Sequence, residues 1–278
     1  MSPVNNIKKF FNQLKDTLLL NGVSTGDSNL GPWIGGLLGA YVVIATGLGF
    51  YWSNIPDAFD VRANAANYAL KNNQEVVTGT TTTAALLEVI DTLLDKPGGY
   101  IHNDITPPGV FLDNMANWEY GVLIQSRDLA RALREVLSRS QSQSKEDVDL
   151  TLAEPRINFQ SDSWALPASE SEYADSRRYL DAYLKRLPLR SQDGSQFYAR
   201  ADNLRFWLSM VEKRLGSLSQ RLSASVGQRR LNTDLAGDTA ASSSTSEPRE
   251  REIRTPFFEV DDVFYESRGA AWALIQFL

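Results

Sequence analysis

The chain has 278 residues, 42% of them hydrophobic and 22% charged, with a formal net charge of -6 and an isoelectric point near 5.0. That is enough chain for one sizeable core, and the composition excludes a collagen, a disulfide scaffold and a wholly disordered chain. Cysteine is absent and histidine occurs once, which excludes thiol nucleophiles, thiolate metal sites and any site built from two imidazoles; the acidic balance argues against nucleic acid as a partner, which would need a basic face.

In chain order, the first periodic segment is Val4, Ile7, Phe10, Phe11, Leu14 and Leu18, with Lys8, Lys9 and Lys15 off that stripe. The spacing predicts an N-terminal amphipathic helix lying on anionic lipid, or packed against another protein. Asn21-Gly22 and the polar run to Asn29 end it. We read residues 1–30 as a cytoplasmic amphipathic segment.

Next comes Trp33 to Trp52, WIGGLLGAYVVIATGLGFYW, a run without a charge. A helix of that length spans about 30 Å, the thickness of a hydrocarbon core. Trp33 at one end, and Tyr51 with Trp52 at the other, suit the membrane–water interfaces. Gly35, Gly36, Gly39, Gly47 and Gly49 would make a poor soluble helix. Residues 31–53 are therefore expected to form a single transmembrane helix. A cleavable signal peptide is the rival, but a long segment precedes the run and bulky Phe50-Tyr51-Trp52 stands where small residues would mark a cleavage site. Lys8, Lys9 and Lys15 before the run, against Arg62 and Lys71 soon after it, favour a cytoplasmic N-terminus. Residues 54–278 then lie outside the cytoplasm. Gly35-x-x-x-Gly39 can let two such helices approach closely, or simply reflects the glycine content of membrane helices.

Beyond the span the periodicity is helical, and no alternating strand pattern stands out. Thr83, Leu86, Leu87, Ile90, Leu93 and Leu94 mark one helix, stopped by Pro97-Gly98-Gly99. Asp113 can cap a long helix carrying Trp118, Val122, Leu129, Leu133 and Leu137. Ser138 to Ser144 is a polar loop. Ser169-x-x-Glu172 reads as a capping box before Tyr173, Leu180, Tyr183, Leu184 and Leu187. Leu204, Leu208, Val211, Leu215, Leu218 and Leu222 step by four and three, a heptad seam. We read the seam as the inner face of an intramolecular bundle, with a coiled-coil dimer as the alternative. Residues 235–255 are too poor in large apolar side chains to offset ordering entropy and are expected to be a disordered loop. The apolar pattern resumes at Phe257 and runs into Leu278, where the chain stops inside a helical stretch, as a shortened chain would.

Several words along this chain resemble a known family. They are Leu94-Asp95-Lys96-Pro97-Gly98-Gly99-Tyr100, Pro107-Pro108-Gly109-Val110, Trp118-Glu119-Tyr120-Gly121, Ala153-Glu154-Pro155-Arg156, Ser163-Trp164-Ala165-Leu166-Pro167, Phe197-Tyr198-Ala199-Arg200-Ala201-Asp202 and Arg214-Leu215-Gly216-Ser217-Leu218-Ser219-Gln220-Arg221-Leu222. Together they resemble the bacterial family known as domain of unknown function 2333, found in Gram-negative bacteria, over most of residues 56–278. The resemblance implies one inner-membrane helix followed by a mainly helical envelope domain in the periplasm, and a chain that runs on past Leu278. It implies no activity, cofactor or catalytic residue.

The residues themselves carry no nucleotide, zinc, calcium or serine-hydrolase motif, so no cofactor and no metal are expected. His102 would need a nucleophile and an orienting carboxylate, and Asp104 is merely near in sequence. Glu119 beside Trp118, Glu170 with Glu172, and Asp261 with Asp262 are the carboxylates that a glycan-cleaving envelope hydrolase could pair. Arg127, Arg131 and Arg134, and again Arg221, Arg229 and Arg230, form basic clusters suited to phosphate or lipid headgroups, or to a salt-bridged face. The candidate interaction loop is Lys96 to Asn117, where Pro97, Gly98, Gly99, Pro107 and Pro108 fix an irregular path near Tyr100, His102, Phe111, Trp118 and Glu119. The other reading of that loop is a packed connection. The expected protein is thus mainly α and bilayer-anchored. It serves as a non-enzymatic interaction or scaffold protein whose partner is a second copy or another envelope protein. A carboxylate hydrolase and a lipid or small-ligand binder are the alternatives.

Overall fold

The computed structural model describes residues 30–141, 143–189, 194–231 and 250–278. The amphipathic stripe read at residues 4–18 lies outside them. The chain divides into Met1–Ile44 and Ala45–Leu278. Helix α1 is Leu30–Trp52, and its stretch Ile34–Trp52, with mean hydropathy 1.7, is long and apolar enough to cross a membrane. Leu37, Val43 and Phe50 stand exposed along it. Cβ atoms added at Gly35, Gly39 and Gly47 would meet open space.

The second unit is a helical bundle. After the end of α1 come α2 (Val61–Lys71), α3 (Thr80–Asp95), α4 (Asp113–Ala132, prolonged by a π turn over Leu133–Leu137), α5 (Val148–Ile157), α6 (Ser169–Arg186), α7 (Ala201–Ser225) and α8 (Val260–Phe277). Side-chain caps start two of them. The Asp60 carboxylate accepts the peptide N–H groups of Arg62 and Ala63, both at 2.9 Å, and Asp147 does the same for Asp149 and Leu150.

Helical spacing then sets the core. Leu86, Leu87, Ile90 and Leu93 of α3 are buried against Trp118, Val122, Leu129 and Leu133 of α4 and its π turn, and against Tyr173, Leu180 and Tyr183 of α6. Helices α4 and α8 approach until their backbones touch. A Cβ on Gly121 would collide with the Glu266 carbonyl oxygen, and one on Gly269 with that of Trp118. Only glycine fits at both points, and the indoles of Trp118 and Trp272 close the contact edge to face, 5.2 Å apart.

Besides Asp113, which stands in the first turn of α4 while Leu112 holds the cap position without a side-chain bond, three local readings differ from the sequence expectation. Ser169 does not cap α6. It sits inside the first turn and donates its hydroxyl backwards to the carbonyl oxygens of Gln160 and Ser163, so no Ser169–Glu172 capping box forms. The segment read as a disordered loop, 235–255, contains the strand β2 (Glu250–Ile253), which pairs antiparallel with β1 (Gln228–Leu231); residues 235–249 lie outside the described ones. A ladder joins backbones, so it needs no apolar alternation that a sequence reading could find.

Thirdly, the heptad seam of α7 is only half inside. Val211 and Leu218 are buried, but Leu204, Leu208 and Leu215 are 49%, 38% and 43% exposed. The inner face runs through Asn203, Trp207, Val211 and Leu218. The large Trp207 ring takes the inward position, which turns the leucine column onto the flank.

Candidate functional site

The loop between α3 and α4 is held from beneath by one buried ion pair. Lys96, at the end of α3, points its ammonium at Glu119 of α4, 2.5 Å away, with both side chains sealed from solvent. The ammonium also donates to the Gly99 carbonyl oxygen. The Glu119 carboxylate accepts the peptide N–H groups of Ile101 at 2.9 Å and His102 at 2.7 Å. Burial pushes this carboxyl up to about 7, against the pull of Lys96 and the two peptides.

The rest of the loop is bound outward to other elements. The His102 Nδ1 lies 3.0 Å from the Ala116 carbonyl oxygen, and the ring stacks on Tyr120. Burial holds the imidazole below its ordinary range. Tyr100 donates its hydroxyl to Ser161 O at 3.1 Å and meets Tyr173 edge to face. Asn103 donates to Ser163 O and to the Glu170 carboxylate.

This wiring redistributes the predicted site residues. Tyr100, Trp118 and Glu119 are buried, and His102 is committed to a backbone carbonyl. The apolar side chains that the loop exposes are Ile105, Val110 and Phe111. Of these, sequence reasoning named Phe111 as a site residue. The structural partner it missed is Lys96, a lone lysine ahead of Pro-Gly-Gly whose burial no spacing rule signals.

The loop meets the end of α1. Gly98 has a left-handed φ of +91°, and a Cβ there would stand 2.7 Å from the Trp52 ring. Only glycine lets the indole lie so close. One turn earlier, a Cβ on Gly49 would touch Pro108 at 3.6 Å and Leu112 at 3.9 Å. Trp52, with Ile55 and Phe59, packs on the buried core, while Tyr51 is exposed.

A groove of about 560 Å³ lies over α4, α7 and α8, lined among others by Tyr120, Gln125, Asp128, Arg214, Arg221 and Glu266. Four of its charges close on one another in pairs. Arg214 makes a two-pronged contact with Asp128 at 2.9 and 3.3 Å, and Arg221 does so with Glu266. The basic cluster on α4 is likewise engaged. Arg127 donates to Ile157 O, Arg131 pairs with Glu135, and Arg134 with Glu146 and Glu154. Of the remaining candidate carboxylates, Glu172 faces Arg156 at 4.0 Å and Asp262 accepts from Asn117 at 2.8 Å. Among the described residues no group of His, Asp and Glu could hold a metal ion.

The family model described as "Uncharacterized protein conserved in bacteria (DUF2333)" matches residues 27–278, and the chain belongs to that family. No curated protein and no solved structure matches.

Proposed function

We propose that this member of the family is a single-pass inner-membrane protein that keeps α1 as an uncleaved anchor and presents its helical bundle to the periplasm. It acts there as a non-enzymatic interaction or scaffold protein. The observation that carries the anchor reading is the seat of Trp52 over Gly98 and against the bundle core. A signal sequence is discarded after export, so its last residues have no reason to be built into the packing of the mature domain. Here the final turn of the apolar helix belongs to that packing.

The non-enzymatic reading rests on how the candidate groups are used. His102, Glu119, Asp128 and Glu266 are each engaged in bonds that hold elements together. The loop is then a socket for the anchor, and its exposed Ile105, Val110 and Phe111 face lipid headgroups or a partner. The basic residues before the span, Lys8, Lys9 and Lys15, favour a cytoplasmic N-terminus.

Alkaline extraction of bacterial membranes tests the anchor, with retention in the pellet expected. A C-terminal alkaline phosphatase fusion tests the topology. Activity places the bundle in the periplasm, and a well-expressed inactive fusion reverses it.

A further inference from the structure

We infer that the exposed leucine stripe of α7 is covered by the same stripe of a second copy, antiparallel, with Leu215 on the two-fold axis. The stripe consists of Leu204, Leu208, Leu215 and Val226, 49%, 38%, 43% and 86% exposed, together with half-buried Leu222. At 3.6 residues per turn all five lie within about 20° of one line along the helix. Their spacing reads the same from either end. Leu208 and Leu222 flank Leu215 at equal steps, and so do Leu204 and Val226.

An isologous contact requires this property, because whatever one copy offers, the other must receive. Setting Leu215 against its counterpart brings Leu208 onto Leu222 and Leu204 onto Val226. The same operation sets like flanks together, so the flank carrying Arg205 and Glu212 meets its own counterpart, where Ser223 and Ser219 stand at about the matching heights. No like charges face each other, so the arrangement escapes the repulsion that disfavours a wrong pairing.

The size of the surface says how such a dimer forms. The stripe is about 33 Å long and about 11 Å wide. Phe257 and Phe258, 83% and 87% exposed, add apolar surface on the segment that the Thr255 N–H ties to Ala224 O at the end of α7. Even so it falls short of the roughly 800 Å² per partner of a stable soluble complex. It suits copies already concentrated in one membrane, and in this respect the inference rests on the proposed anchor.

The chain has no cysteine, so single cysteines report the contact without background. In membranes carrying the full-length protein, Leu215→Cys is expected to form a reducible dimer under mild oxidation, since a two-fold axis brings that residue against itself. A mixture of Leu208→Cys and Leu222→Cys chains is expected to crosslink several-fold more than Leu208→Cys alone. Helicity measured on each variant controls for folding. As a second measurement, Leu215→Arg is expected to abolish the Leu208/Leu222 crosslink. Self-crosslinking of Leu208→Cys in preference to the mixed pair would overturn the antiparallel arrangement, and failure of every pair to crosslink would overturn the contact. Alkaline extraction of the same samples reports the anchor separately. A chain that leaves the membrane yet crosslinks in the predicted pattern contradicts the anchor and keeps the dimer.

Discussion

The indole of Trp52 fills the space into which a side chain on Gly98 would project, with 2.7 Å separating that Cβ position from the ring. The residue that ends the apolar helix and the residue that turns the α3–α4 loop are thereby fitted to each other. Gly98→Val adds a left-handed β-branched residue, at about 1–2 kcal/mol, and drives the indole off the core. The expected result is a lower melting temperature with red-shifted tryptophan emission. A variant with native emission and native stability contradicts the fit.

Lys96 and Glu119 form the post under the loop. Lys96→Met leaves the Glu119 carboxylate buried without its cation, a loss expected to cost about 3–5 kcal/mol. The denaturant midpoint of the purified chain reads this directly. A loss below about 1 kcal/mol, the range of an exposed pair, would mean that the pair is solvated.

The pH dependence of stability contains two opposed slopes. The His102 imidazole is held below its ordinary 6.5, so the unfolded chain takes up that proton first. Its share of stability is present above 6.5 and is lost as the pH falls through the depressed folded value. The Glu119 carboxyl is raised from 4.5 to about 7. Its share is present below 4.5 and is lost as the pH rises through about 7. His102→Asn keeps a donor for the Ala116 carbonyl and removes the first slope. Its melting temperature is expected to fall between about pH 5 and about pH 7. A rise over that range would contradict the buried Glu119.

Much of the bundle was legible because burial leaves a period of 3.6 in the sequence. Leu86, Leu87, Ile90 and Leu93 sit inside as their spacing predicts. The α7 seam misled for a physical reason, since a stripe on the flank of a buried arc steps by four and three as the arc itself does. What decides between them is Trp207, 5% exposed, on the neighbouring column. Leu215→Ala is therefore expected to cost under about 1.5 kcal/mol, and Trp207→Ala about 3–5 kcal/mol. Equal losses in chemical denaturation would restore the seam to the core. The loop's glycines and prolines announced a fixed path. Its fastening was not legible, because Lys96 finds Glu119 and Asn103 finds Glu170 only once α3, α4 and α6 have packed.

The central claim is that the apolar helix stays on the chain as its anchor, and the intact mass of the protein recovered from alkali-washed membranes tests it most directly. The expected species in the membrane pellet is a chain whose mass still includes the residues of α1, Leu30–Trp52. A soluble protein shortened by the residues up to the end of α1 would contradict it.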